Sequence, residues 1–136
     1  MLKVENLQVN YGVINAIKGI SIHVPEKSII TLIGANGAGK TTTLRAISNI
    51  VKAAEGSKVM YDGKDITNLP PHKIVEKGLC QVPEGRLIFA NLTVDENLML
   101  GAYSRKNLGQ IRDDREMALD LFPRVRERLK QAAGTL

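Results

Sequence analysis

The chain predicts an α/β fold: a mixed β-sheet around a glycine-rich loop, followed by a helical annex. Three observations carry this expectation. The apolar run at residues 28–33 (Ser-Ile-Ile-Thr-Leu-Ile) has the length and composition of a buried strand. It leads directly into Gly34, Ala35, Asn36, Gly37, Ala38, Gly39, Lys40, Thr41 and Thr42, after which Leu44, Ile47 and Val51 recur at helical spacing over residues 41–51. Beyond Pro83 the pattern changes to helical periodicity, so the annex begins there.

The elements follow in order. Leu2, Val4, Leu7 and Val9 alternate with one slip and predict an edge strand; residues 16–24 predict a second, with Ile20, Ile22 and Val24 on one face and Pro25 ending it. After the loop and its helix, residues 58–66 read as a hairpin, because Asp62-Gly63 supplies the positive φ angles of a type I′ turn. Pro71 opens a short helix carrying Ile74 and Val75, with Gly78 as the residue past its end. Residues 79–82 predict a short buried strand ending at Pro83. In the annex, Thr93 and Glu96 have capping-box spacing and start a helix with Val94, Leu98 and Ala102 on one face. A longer helical stretch follows residues 107–109, striped by Ala118, Leu121, Phe122, Val125 and Leu129 and kinked at Pro123.

Residues 34–41 fit G-x-x-x-x-G-K-[ST] at every fixed position, in the context of strand, loop and helix that such a phosphate cradle requires. Glycines let successive N–H groups converge, and the helix N-terminus adds partial positive charge. Lys40 reaches the β- and γ-phosphates and the Thr41 hydroxyl ligates Mg²⁺. The expectation is a nucleoside triphosphate site.

Composition bounds the rest. At 136 residues and 43% hydrophobic, the chain has the size and core of one ordinary domain. It contains no run of 18 apolar residues, and its charged first residues lack a signal-peptide pattern, which suits a cytosolic protein. Cys80 is the single cysteine, so an internal disulfide is excluded, and its apolar setting predicts a buried thiol. The net charge of +5 does not point to nucleic acid. The late Arg and Lys residues are interleaved with Asp and Glu, as on a solvated helix face, and aromatic residues make up only 4%. His23 and His72 have no metal-spaced partner and read as structural.

A hydrolase with this cradle also needs an acidic residue at the end of an apolar strand. No four apolar residues followed by Asp occur after Lys40, and Asn-Lys-x-Asp is absent, which argues against a GTPase.

The segments resemble the N-terminal part of an ATP-binding subunit of an ABC transporter, of the type serving bacterial import of branched-chain amino acids. Tyr11-Gly12 lies 23 positions before Gly34 and matches the A-loop aromatic. Residues 34–42 match Walker A, and residues 79–96 match the segment around the Q-loop, with Glu84 where most ABC proteins carry Gln. The wording VPEGR-x-IF at residues 82–89 and NLMLGAY at residues 97–103 is characteristic of the branched-chain subfamily. The last residues, 131–136, resemble those leading into the LSGGQ signature. Two departures are small: the family's Gly-Glu before the loop strand is Lys27-Ser28, and Asn49 stands where Gly is common.

The resemblance implies a β-rich core with Walker A at residues 1–83 and a Q-loop-like segment with helical subdomain at residues 84–136. It implies ATP and Mg²⁺ as ligands, Tyr11 stacking on adenine, and Glu84 near Mg²⁺ or its water. The bland readings stand beside these: Tyr11 as a half-buried loop aromatic, Glu84 as a surface carboxylate. The implied partners are ABC permease subunits in the membrane, a second ATP-binding subunit and, indirectly, an extracellular or periplasmic amino-acid-binding protein. The implied location is the inner face of the plasma membrane. In the family, the P-loop strand pairs with strands formed after the signature. Walker B and the switch His have no counterpart in these residues, so no catalytic residue is assigned. An ATP-binding fragment without turnover and a P-loop ATPase unconnected with transport remain the alternatives.

Overall fold

The computed structural model describes every residue except Arg86, which belongs to the VPEGR wording. The alternation at the start of the chain becomes β1 (Leu2–Tyr11), which pairs antiparallel with β2 (Ile14–Val24) and, along its other side, with β3 (Lys58–Tyr61). β4 (Lys64–Asp65) completes a four-stranded antiparallel sheet of order β2-β1-β3-β4. β1 is therefore an interior strand, not the expected edge. The slip in its alternation has a physical cause. Asn6 takes φ 48°, its N–H donates to Ser21 Oγ at 3.0 Å, and the register shifts between Val4 and Leu7. The irregularity keeps both apolar residues on the core side.

Asp62 and Gly63 turn with φ 50° and 75°, joining β3 to β4 as the type I′ reading required. α1 (Lys40–Ile47) buries Thr43, Ala46 and Ile47 against the sheet and leaves Leu44 exposed. It stops four residues short of the expected end. Asn49 adopts φ 51°, its Nδ2 donates to Leu69 O at 2.7 Å, and the N–H groups of Ile50 and Val51 fold back onto Arg45 O. α2 (Pro71–Glu76) buries Ile74, and Gly78 follows it at φ 94°. Leu7, Val4, Val9, Val59, Ile66 and Ile74 are at most 1% exposed and form the heart of this unit, Met1–Val82. Burial of each contributes about 1.5–3 kcal/mol.

Two expected strands do not form. Residues 28–33 and 79–82 carry no ladder, because no described segment lies beside them to accept and donate the backbone bonds. Ile29 and Ile33 are 96% and 92% exposed. For the same reason Cys80 is exposed rather than buried, while its neighbour Leu79 packs partly on the core.

The second unit, Pro83–Leu136, is helical. α3 (Val94–Gly101) starts with the predicted capping box. α4 (Leu108–Leu121) begins at Asn107, whose side chain accepts from Gln110 N. α4 ends outright where a kink was expected. Phe122, before Pro123, is forced to φ −128°, ψ 72°, and a separate α5 (Pro123–Arg126) begins. The expected stripe also differs: Leu119 is the buried residue of α4, and Leu121 and Phe122 face solvent. After α5, a short 3-10 turn (Ala133–Thr135) lies alongside the start of α3, bonded through Ala133 N to Leu92 O and Val94 N to Gln131 O.

Candidate nucleotide-binding site

The loop between β2 and α1 is shaped by glycine. Gly37 and Gly39 take φ 84° and 87°, a region that favours glycine over any residue with a Cβ. A Cβ on Gly39 would also strike Ile17 Cδ1 on β2, so this residue sets how closely the loop approaches the strand. Ala38 N–H donates to Ala35 O at 3.1 Å, closing a turn across Asn36 and Gly37.

Lys40 is the first residue of α1. Its Nζ donates to Gly34 O at 2.7 Å and to Ala35 O at 2.8 Å, so the ammonium lies across the loop rather than in solvent. An ammonium has three donors, and these two bonds hold it while, among the described residues, one remains for a ligand. α1 begins with no side-chain cap. The first-turn N–H groups of a helix have no intrahelical acceptors, and its dipole favours an anion there. Thr41 and Thr42 occupy that first turn, half-buried. Loop carbonyls turned toward Lys40, left-handed glycines and an uncapped helix start together suit a chain of phosphates.

Sequence reasoning missed two supports. Thr43 is 2% exposed and its Oγ1 donates to Gly39 O at 2.9 Å, tying the loop's last glycine to the helix. Its position four residues after Gly39 was the available signal, since Thr back-bonds to the carbonyl one turn earlier. Ile17 had no local signal, because its contact with Gly39 is tertiary.

Tyr11 closes β1 opposite Ile14 and is 46% exposed. Ile14 stands three residues from Ile17 along β2, about 10 Å of strand, so the hairpin end carrying Tyr11 lies beside the strand that contacts the loop. Glu84 is in the second unit, exposed in an irregular segment before Gly85 at φ 84°. Among the described residues no three His, Cys, Asp or Glu side chains gather as a metal cage, and no helix is long and apolar enough to cross a membrane. His23 lies on β2 and His72 in α2, both exposed.

The family profile described as ABC transporter matches residues 17–135. The chain is similar to the high-affinity branched-chain amino acid transport ATP-binding protein BraG of Pseudomonas aeruginosa. The two are 42% identical over 137 residues, covering 100% of this chain and 58% of that protein. It is also similar to the lipopolysaccharide export system ATP-binding protein LptB of Haemophilus influenzae, 36% identical over 97% of this chain and 56% of that protein. Among solved structures, it resembles the ADP conformation of an ATP-binding cassette of an ABC transporter. That match has a TM-score of 0.79 and 27% identity, and covers 99% of this chain and 58% of that one. The chain thus spans somewhat under six-tenths of the length of each of these three proteins.

Proposed function

The chain belongs to the ABC transporter family, with the α/β fold of its ATP-binding cassettes, and from that premise we propose that it binds Mg-ATP for an importer of branched-chain amino acids. The observation that carries the nucleotide reading is the cradle itself: Lys40 Nζ held by Gly34 O and Ala35 O in a loop whose Gly37 and Gly39 are left-handed. The amino-acid reading rests on BraG, similar over the whole chain, and on the VPEGR-x-IF wording. The likeness to LptB, an export protein, is why direction and substrate belong to the proposal.

In this reading Gly34 to Thr42 wrap the phosphates, Lys40 adds a side-chain cation held at the loop, and Tyr11 stacks on adenine. Thr41 offers its hydroxyl to Mg²⁺, and Glu84 acts on the metal or its water. A single protein hydroxyl is enough for a metal that keeps several waters and phosphate oxygens. In the complete subunit, transfer of the γ-phosphoryl group of bound ATP to water, giving ADP and phosphate, would supply the free energy for transport. The partners are permease subunits at the inner face of the plasma membrane and a second ATP-binding subunit, with an amino-acid-binding protein acting through the permease. No catalytic carboxylate follows Lys40 at the end of an apolar strand, so these residues by themselves bind without turnover.

The test is titration of the full chain with a fluorescent ATP analogue, with solubility maintained where needed by co-expressing the C-terminal segment of BraG. Lys40→Ala weakens Mg-ATP by about 2 kcal/mol, the scale of a lost charge-assisted hydrogen bond. Unchanged affinity in that variant would move the site elsewhere.

A further inference from the structure

Within the helical unit, α3 and α4 leave a cavity of about 180 Å³ between them. Its floor is apolar, made by Leu98, Met99 and Ala102 from α3 and its C-cap and by Ile111 and Ala118 from α4. Both sets follow helical spacing, so each helix turns one face to the cavity. Arg105 and Asp114 stand at the rim with Nη2 and Oδ2 2.8 Å apart, and their side chains are 49% and 50% exposed. Arg115 also lines the cavity, but its guanidinium is engaged by Asp95 Oδ1 through Nε and Nη2 and by Glu116 Oε1 through Nη1. Arg105 and Asp114 are the charges able to change partners, since an exposed pair is worth only about 0–1 kcal/mol.

We propose that this cavity binds a small aliphatic zwitterion, an α-amino acid of leucine or methionine size. Its carboxylate takes the Arg105 guanidinium and its ammonium the Asp114 carboxylate. The side chain enters among Leu98, Ala102 and Ala118. Volume supports that size: an apolar cavity of about 150 Å³ holds benzene, so this one holds a four-carbon side chain and excludes a nucleotide or peptide. The paired rim charges set the headgroup. A fatty acid leaves Asp114 without its counter-charge, an alkylamine leaves Arg105 without one, and an α-amino acid offers both charges one carbon apart. The cavity is lined wholly by residues of the second unit, so the proposal does not rest on the nucleotide site.

The full chain, prepared as above, is titrated by calorimetry with L-leucine, with 4-methylpentanoate, which lacks the ammonium, and with isoamylamine, which lacks the carboxylate. Leucine gives saturable binding, and each analogue binds at least about tenfold more weakly, the loss of one charge-assisted contact. Arg105→Ala reduces leucine binding by a similar factor and Ala118→Leu fills the cavity and abolishes it. In both variants the affinity for fluorescent ATP is unchanged. Absence of leucine binding overturns the proposal, and ATP binding by the same sample shows that the nucleotide reading has not failed with it. Leucine binding indifferent to both variants, or equal binding of 4-methylpentanoate, also overturns it. If Ala118→Leu does not fold, Arg105→Ala, at a half-exposed side chain, decides the matter.

Discussion

Lys27 holds φ 57° in the exposed turn after β2, a conformation that costs an L-residue roughly 1 kcal/mol. It stands where the resembling family carries Gly, and Lys27→Gly removes the strain at a site whose side chain faces water. The expected gain is about 0.5–1 kcal/mol, read as a higher urea midpoint with an unchanged slope. A lower midpoint would mean that Lys27 makes a contact outweighing its backbone strain. Tyr11 tests a different kind of residue effect. Its ring is half-exposed at the end of β1, free to meet a planar partner. Tyr11→Ala is expected to weaken ATP by about 1 kcal/mol while leaving inorganic triphosphate unaffected, and Tyr11→Phe to be nearly neutral. Equal losses for the two ligands would remove Tyr11 from the adenine site.

At the scale of the element, α3 depends on its first turn. Thr93 Oγ1 accepts from Glu96 N at 3.2 Å, and Glu96 Oε2 accepts from Thr93 N at 2.8 Å and from Thr93 Oγ1 at 2.8 Å. Thr93→Ala is expected to cost about 1 kcal/mol, seen as reduced thermal stability of the helical unit. The same bonds act on charge: the Thr93 N–H first, and the hydroxyl second, hold the Glu96 carboxyl below its ordinary value of 4.5. A carboxylate whose native pKa is depressed contributes stability above the unfolded value. That contribution is lost as pH falls through the native one. The stability of α3 therefore declines below about pH 4.5, and Glu96→Gln, which keeps the acceptor without the charge, flattens that part of the profile. An unaltered acid limb in Glu96→Gln would assign the decline to other carboxylates, Glu116 beside Arg126 being the next candidate. Ionic links join the helices as well: Arg115 binds Asp95 of α3 and its own neighbour Glu116, and Arg126 of α5 binds Glu116 and Asp120 of α4.

For the whole molecule, the apolar segment at residues 28–33 decides behaviour in solution. It forms no strand, is unpaired among the described residues, and exposes Ile29, Ile30 and Ile33. Unladdered backbone beside apolar side chains invites association with any available strand. The chain by itself is expected to be poorly soluble and to release no phosphate from ATP, with both properties restored by a C-terminal segment of a relative supplying partner strands and carboxylate. Phosphate release is measured beside Lys40→Ala. Sustained hydrolysis by residues 1–136 alone, abolished in that variant, would overturn the binding-only reading.

The residues by themselves determined what depends on neighbours a few positions away. The glycine loop and its lysine, the type I′ turn at Asp62-Gly63, the capping box at Thr93 and the glycine after α2 are all local chemistry, settled by φ angles and hydrogen bonds within one turn. Only the tertiary structure decided what depends on distant partners. It placed β1 inside the sheet by setting β3 on its far side, and withheld strand status from residues 28–33 and 79–82, so that Cys80 emerged into solvent. It also chose Leu119 over Leu121 and Phe122 as the buried residue of α4 and set Ile17 against Gly39. A strand exists only when another backbone completes its ladder, and a face is buried only when another element covers it. Neither condition is written in the segment that must satisfy it.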